Sequence, residues 1–195
     1  MTLPPRILPV ESLDAAIALL GRGGRRGILP MVGESMRPTL RPGERVLVEF
    51  EPRRLERGDL VLYRQLDYLV VHRVLGPASR ELEPTLRTRG DGSSSLDPPL
   101  ERSRVRGRVT AIERDGAWFL LDGGAARAYA LAVALHDLAW AGVHALAIRV
   151  DRLLGHAGPQ AGLARRVATC DRALLGAVHR VGFRAAHRRS PGEPL

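Results

Sequence analysis

The sequence predicts a mainly β body followed by a C-terminal α-helical basic extension. Three observations carry that prediction. Between Gly27 and Asp122 the chain is a succession of short apolar runs, each bounded by Gly or Pro, the signature of close-spaced strands. Beyond Gly123, Ala, Leu and Arg take over at spacings of three and four, the period of a helix. The charge is also lopsided, with 30 basic against 21 acidic residues and a formal net charge of +9. Every basic residue is arginine, a side chain suited to carboxylates and phosphates.

In chain order, a first helix is expected over Glu11–Leu20, ended by Gly21, Gly23 and Gly24. The prolines at its start and its short apolar stretch, Ala15 to Leu20, do not read as a secretory leader. The strand-like runs are "GILPMV", "RVLVEF", "LVLYR", "YLVVHRVL", "ELEPTLRTR", "RVRGRVTAIE" and "AWFLLD". Gly90 to Glu101, "GDGSSSLDPPLE", reads as a turn-rich loop.

Ala128 to Ile148 is long enough to cross a bilayer, but His136, Asp137 and His144 interrupt it. A charged Asp at mid-span costs about 2.5–3.5 kcal/mol even on the lenient insertion scale. The stretch is therefore read as a buried or amphipathic helix. Asp137, His144 and Asp151 share one face of it, about 10 Å apart along the axis, too far for one metal ion.

In the last helix Leu163, Val167, Cys170, Leu174, Val178 and Val181 form an apolar stripe. Its other sides carry Arg165, Arg166, Arg172, Arg180 and Arg184. "GHAGPQAG", Gly155 to Gly162, is the expected hinge between the two helices. The chain thus divides into an N-terminal helix and linker (1–25), a β catalytic domain (26–124) and a basic helical tail (125–195).

A body of this size buries roughly 70% of its unfolded surface and needs no covalent staples. Cys170, the single cysteine, excludes an internal disulfide and a Cys-based zinc cluster, and suits a reducing, cytoplasmic setting. Neither a cofactor nor a metal is expected; His156, His179 and His187 give a metal no better support.

Ser35 raises the question of chemistry. It lies in "GESMRPTLRPGE", a short loop held by Pro38 and Pro42. A serine hydroxyl needs a neighbouring base to become a nucleophile. The chain has no lysine, which leaves histidine, and His72 alone falls in the β body. Alternation puts Val70, His72 and Val74 on one face of its strand; a half-buried core histidine is the plain alternative. A histidine base also needs a carboxylate to fix its tautomer, and Asp91 and Asp97 are candidates.

The ordered blocks "SMRPTL", "RGDLVLYR", "VVHRVL" and "TRGDGSSSLD" resemble signal peptidase I and its relatives. That superfamily also holds the self-cleaving repressors of the SOS response. Ser35, Met36, Pro38 and Thr39 match its first block, and Arg57, Gly58 and Asp59 its second. His72, Arg73 and Val74 match the histidine-base branch typical of archaea and the endoplasmic reticulum. Asp91 and Asp97, six positions apart, match the last. The resemblance covers Gly33 to about Asp97, roughly a third of the chain.

What it implies is a signal-peptidase-like β body and a serine endopeptidase acting on a leader-like peptide. Ser35 is then the nucleophile, His72 the general base and Asp97 its orienter, with Asp91 supporting the same loop. The amide of Ser35 donates to the oxyanion. Gly33 stands where many relatives carry a second hydroxyl donor. Met36 and Pro38 shape the loop and a substrate pocket, and Arg57 and Asp59 brace the strands. The chain departs from the family in showing no clear membrane tether and in replacing an Asn-rich lead with "GSSS".

Two other readings stand beside it. A self-cleaving regulator ordinarily carries a DNA-binding domain in front, and only about 30 residues precede Ser35, too few for a helix-turn-helix. A non-catalytic basic adaptor on membrane or nucleic acid would use a retired peptidase fold. The expected partner is a peptide or protein substrate; no specific nucleic acid is expected. The basic tail suits docking to an anionic membrane surface and equally suits packing back on the body with its arginines solvated, which is the plainer reading.

Overall fold

The structure is a computed structural model and describes residues 26–65, 68–79, 85–155, 162–187 and 189–190, together with Ala15. Apart from Ala15, the helix expected over Glu11–Leu20 lies outside the described residues, as do the middle of the Gly155–Gly162 hinge and the final five residues.

The fold is mainly β with two C-terminal helices. The strands are β1 (Arg26–Pro30), β2 (Arg45–Phe50), β3 (Leu60–Gln65), β4 (Tyr68–Ser79), β5 (Thr85–Arg89), β6 (Leu100–Glu101), β7 (Val105–Arg114), β8 (Ala117–Leu120) and β9 (Arg189–Ser190). The helices are α1 (Gly124–Leu153) and α2 (Gly162–Ala186). The strands form one antiparallel sheet in the order β1-β2-β7-β3-β4-β5-β6, with β8 branching from β7 and carrying β9.

β2 spans the expected run "RVLVEF", and the β3–β4 hairpin pairs Leu60 with Arg73 and Val61 with His72. The loop expected from Gly90 to Glu101 ends early, because Leu100 and Glu101 pair with Leu86 and Thr85.

β3 reads "LVLY", apolar on both faces, and both faces are covered. Leu60 and Leu62 point into the main core with Val46, Val48, Phe50 and Ile112. Val61 and Tyr63 point the other way, into a second cluster with Val74, Leu100 and Val105. Phe183 of α2 is buried in the main core and its ring lies 5.6 Å from that of Phe119. Burying one such aromatic contributes roughly 1.5–3 kcal/mol. The helical extension therefore completes the core of the β body.

Charge pairs make the same junction. Arg127 on α1 meets Asp59 at 2.5 Å. Arg89, at the end of β5, is almost wholly buried and donates to the Ser93 carbonyl, to the Asp137 carbonyl of α1 and to the Asp171 carboxylate of α2. One guanidinium thus ties the loop after β5 to both helices.

α1 is long and apolar enough to cross a membrane by length and composition, and 28% of its most apolar window is buried. Asp137, His144 and Asp151 do share a face, and that face is the buried one. Asp151 accepts hydrogen bonds from the amides of Leu163 and Ala164, at 2.9 and 2.7 Å. It thereby satisfies two of the free N–H groups at the start of α2. On α2 the buried face is Ala164, Asp171, Leu175, His179 and Phe183, while Leu163, Cys170, Leu174, Val178 and Val181 of the expected apolar stripe are exposed.

Candidate active site

Ser35 opens a single helical turn in which the Leu40 amide donates to the Met36 carbonyl at 2.9 Å. Met36 and Leu40, four apart, both point into the core and are fully buried. Their anchoring leaves Ser35 and Arg37 on the exposed side of the turn.

Ser35 Oγ lies 3.1 Å from His72 Nε2, and His72 Nδ1 lies 2.7 Å from Asp97 Oδ2. Three segments, the turn after β1, strand β4 and the loop after β5, thus converge on one chain of contacts. His72 is buried on the same sheet face as its register partner Val61. One face over, Arg73 points to the opposite side. Its Nε and Nη2 donate to the two oxygens of Asp91 at 2.8 and 2.6 Å, and Nη1 donates to the Gly58 carbonyl at 3.0 Å. The Thr39 hydroxyl also donates to Asp91. Asp91 therefore serves Arg73, and Asp97 serves His72.

Burial opposes ionisation of the Asp97 carboxyl, but hydrogen bonds and charge from His72, with a further bond from Tyr63, hold it below the usual carboxylate range. Tyr63 was not singled out by the sequence. Its hydroxyl stands 3.2 Å from both His72 Nδ1 and Asp97 Oδ2. Burial, then the Asp97 charge, push its phenol well above the ordinary value. The signal that could have found it is the hairpin register: Tyr63 follows Val61 by two, so it shares the His72 face.

Gly90 was read only as a turn residue. A Cβ there would stand 2.6 Å from the Ser35 carbonyl oxygen and 3.0 Å from His72 Nε2, so glycine is what lets this loop close on the site. The Gly92 amide then donates to the Ser35 carbonyl at 2.7 Å.

The other expected site residues fall as follows. Gly33 is exposed, with open space where a Cβ would lie. Met36 does not reach the cleft; it is core. Pro38 does line it. Asp59 accepts from the Glu56 amide at 2.6 Å and pairs with Arg127, and the Arg57 guanidinium lies over Gly76.

A cleft of about 790 Å³ opens beside Ser35. One wall is the Ser35 turn with Arg37, Pro38 and Arg41; the other is α2, through Arg172, Leu175 and Gly176. Arg41 and Arg172 are exposed, and neither side chain has an ion-pair partner among the described residues.

His136, Asp137 and Asp171 place ligand-type atoms within 4.8 Å of one another. The Arg89 guanidinium bridges the two carboxylates, at 3.4 Å from Asp137 and 2.5 Å from Asp171, so a fixed cation already stands there. Asp137 Oδ2 keeps no hydrogen-bond partner among the described residues. Burial first, then the nearby Asp91 charge, push its carboxyl up to about 8.

In comparisons with known proteins, no family model and no curated sequence matches this chain.

Proposed function

We propose that the protein is a serine endopeptidase related to the histidine-base branch of the signal peptidase superfamily. The observation that carries this reading is the continuous contact Ser35 Oγ–His72 Nε2, His72 Nδ1–Asp97 Oδ2, at 3.1 and 2.7 Å. A buried histidine kept only for packing has no reason to hold an exposed serine on one nitrogen and a carboxylate on the other.

In this reading Ser35 Oγ adds to the scissile carbonyl carbon while His72 Nε2 takes its proton. Asp97 accepts from Nδ1–H, which fixes the tautomer and stabilises the imidazolium. The backbone N–H of Ser35 donates to the oxyanion. Collapse of the adduct expels the amine, which receives the proton from Nε2, and leaves an acyl-Ser35 ester. Water, deprotonated by His72, then hydrolyses that ester.

The peptide lies in the cleft between the nucleophile turn and α2. Exposed Arg41 and Arg172 favour acidic side chains near the cut. The unpaired, exposed Cys170 suits a reducing compartment, and we place the enzyme in the cytoplasm.

A serine-reactive acylating probe tests the reading. Mass spectrometry of the labelled protein should find the adduct on Ser35 and none in Ser35→Ala. Peptides cut from a random library should be enriched in Asp or Glu near the scissile bond. Absence of both labelling and cleavage in folded protein would leave the fold without the activity, and an adduct elsewhere would move the nucleophile.

A further inference from the structure

We propose that the outward side of the α1–α2 hairpin seats the protein on the surface of an anionic lipid bilayer. This does not depend on the peptidase reading.

α1 is inverted relative to a helix built to face water. A surface helix buries its apolar stripe and exposes its polar one. Here Asp137, His144 and Asp151 are buried. At 3.6 residues per turn, Ala128, Leu135, Ala139 and Leu146 stand roughly 160–180° around the helix from Asp137, and all four are exposed. From Ala128 to Leu146 every exposed position is Ala, Leu, Val or Gly. That stripe runs about 27 Å at 1.5 Å per residue.

α2 supplies the charge beside it. Arg166, Arg180 and Arg184 stand roughly 140–180° around α2 from Asp171, and all are exposed. Arg89 holds Asp137 of α1 and Asp171 of α2. The sides opposite those two carboxylates therefore both point away from the β body. The result is one surface with an apolar band next to a row of guanidinium groups, matching acyl chains next to lipid phosphates.

The helix lies on the bilayer and does not cross it. Its inner side is fixed at three levels: Arg127 to Asp59 at 2.5 Å, Asp137 to Arg89 at 3.4 Å, and Asp151 to the α2 amides at 2.7–2.9 Å. A helix held to protein along its length cannot be surrounded by lipid. A second copy of the chain is the poorer occupant, because with a net charge of +9 it would bring another arginine row against this one.

The test is flotation of the full chain with vesicles of phosphatidylcholine alone or mixed with phosphatidylglycerol. Binding to the mixed vesicles is expected, weaker by roughly tenfold or more on the neutral ones and reduced by added salt. Leu135→Glu with Leu146→Glu should abolish it, and Arg166→Gln with Arg180→Gln and Arg184→Gln should remove the preference for anionic lipid. These positions are exposed, so the thermal transition should persist. If the glutamate pair loses it, Leu135→Ser with Leu146→Ser replaces them. The proposal is overturned if the wild type floats with neither vesicle, or if binding survives these leucine substitutions. It is equally overturned if sedimentation shows a dimer that the same variants dissociate while vesicles go unbound, since a second copy would then cover the face.

Discussion

Asp91 and Asp97 stand on one loop, six residues apart, and serve different partners. Asp91 is buried in bidentate contact with Arg73, a guanidinium that keeps its charge at any working pH. Asp97 stands at the cleft, partly open to solvent, against the His72 imidazole, whose other ring nitrogen faces Ser35 Oγ. The first arrangement suits a fixed brace and the second a proton relay. The neighbours His72 and Arg73 meet opposite ends of the loop because successive strand residues point to opposite faces.

Breaking the relay should give the largest effect. Ser35→Ala should lower peptide cleavage by on the order of 10⁴-fold or more, with the melting temperature near wild type, since an exposed hydroxyl adds little to packing. Asp97→Asn should cost the single-turnover rate about 10²–10⁴-fold, because an amide can offer the ring the wrong hydrogen-bonding group. Cleavage by Ser35→Ala at the wild-type rate would remove that residue from the chemistry.

Breaking the brace should act on the fold. Asp91→Asn leaves the Arg73 charge buried without its counter-ion, a change worth about 3–5 kcal/mol of stability. Denaturant melts and single-turnover rates measured on both Asn variants separate the roles. A larger rate loss at Asp91, with Asp97→Asn near wild type, would reverse the assignment.

A smaller effect should appear in acid, at the junction between sheet and helices. Burial, then the Arg114 charge, depress the His179 imidazole to about 4. A depressed folded-state value favours the native state above the unfolded value of about 6.5, and that contribution is lost as pH falls toward about 4. His136 and His187 shift the same way, again chiefly through burial. The Asp137 carboxyl, raised to about 8, works oppositely and loses its contribution as pH rises through 4–8. Melting temperatures from pH 7 to 4.5 should fall less steeply for His179→Gln than for wild type. An unchanged slope would show that His179 is not a source of acid sensitivity.

The β body and the residues that meet at Ser35, His72 and Asp97 were largely legible because their signals are local. "RVLVEF" is a short apolar run between Gly43 and Pro52, "YLVVHRVL" places His72 on a defined face, and Asp91 and Asp97 stand six apart. What stayed hidden depends on register and on partners far along the chain. β6 and β9 are two-residue pairings created by distant strands. Tyr63 joins the site only through the β3–β4 register. The stripe through Leu174 and Val178 established a face on α2, but periodicity alone does not say which way a face points. Here Phe183 and Arg89 decide it, by drawing the Asp171 side inward. Met36 lies in the same block as Ser35, yet in a turn the residue one step from an exposed side chain can face the opposite way, into the core.

The finest test of the relay is Tyr63→Phe. Phenylalanine keeps the ring that packs with Val61, Val74, Leu100 and Val105 and removes only the hydroxyl. That hydroxyl donates to Asp97 Oδ2 at 3.2 Å, a long bond whose net worth is about 1 kcal/mol. Losing it should let the Asp97 carboxyl move back toward its ordinary range and loosen its hold on His72. The expected rate loss is less than about tenfold, since 1.4 kcal/mol is one decade. The same substitution in an Asp97→Asn background discriminates its route. If Tyr63 acts through the carboxylate, the second change should add nothing once the carboxylate is gone. An equal loss in both backgrounds would mean that the phenol acts on His72 or on the bound peptide directly, and Asp97 would no longer be its target.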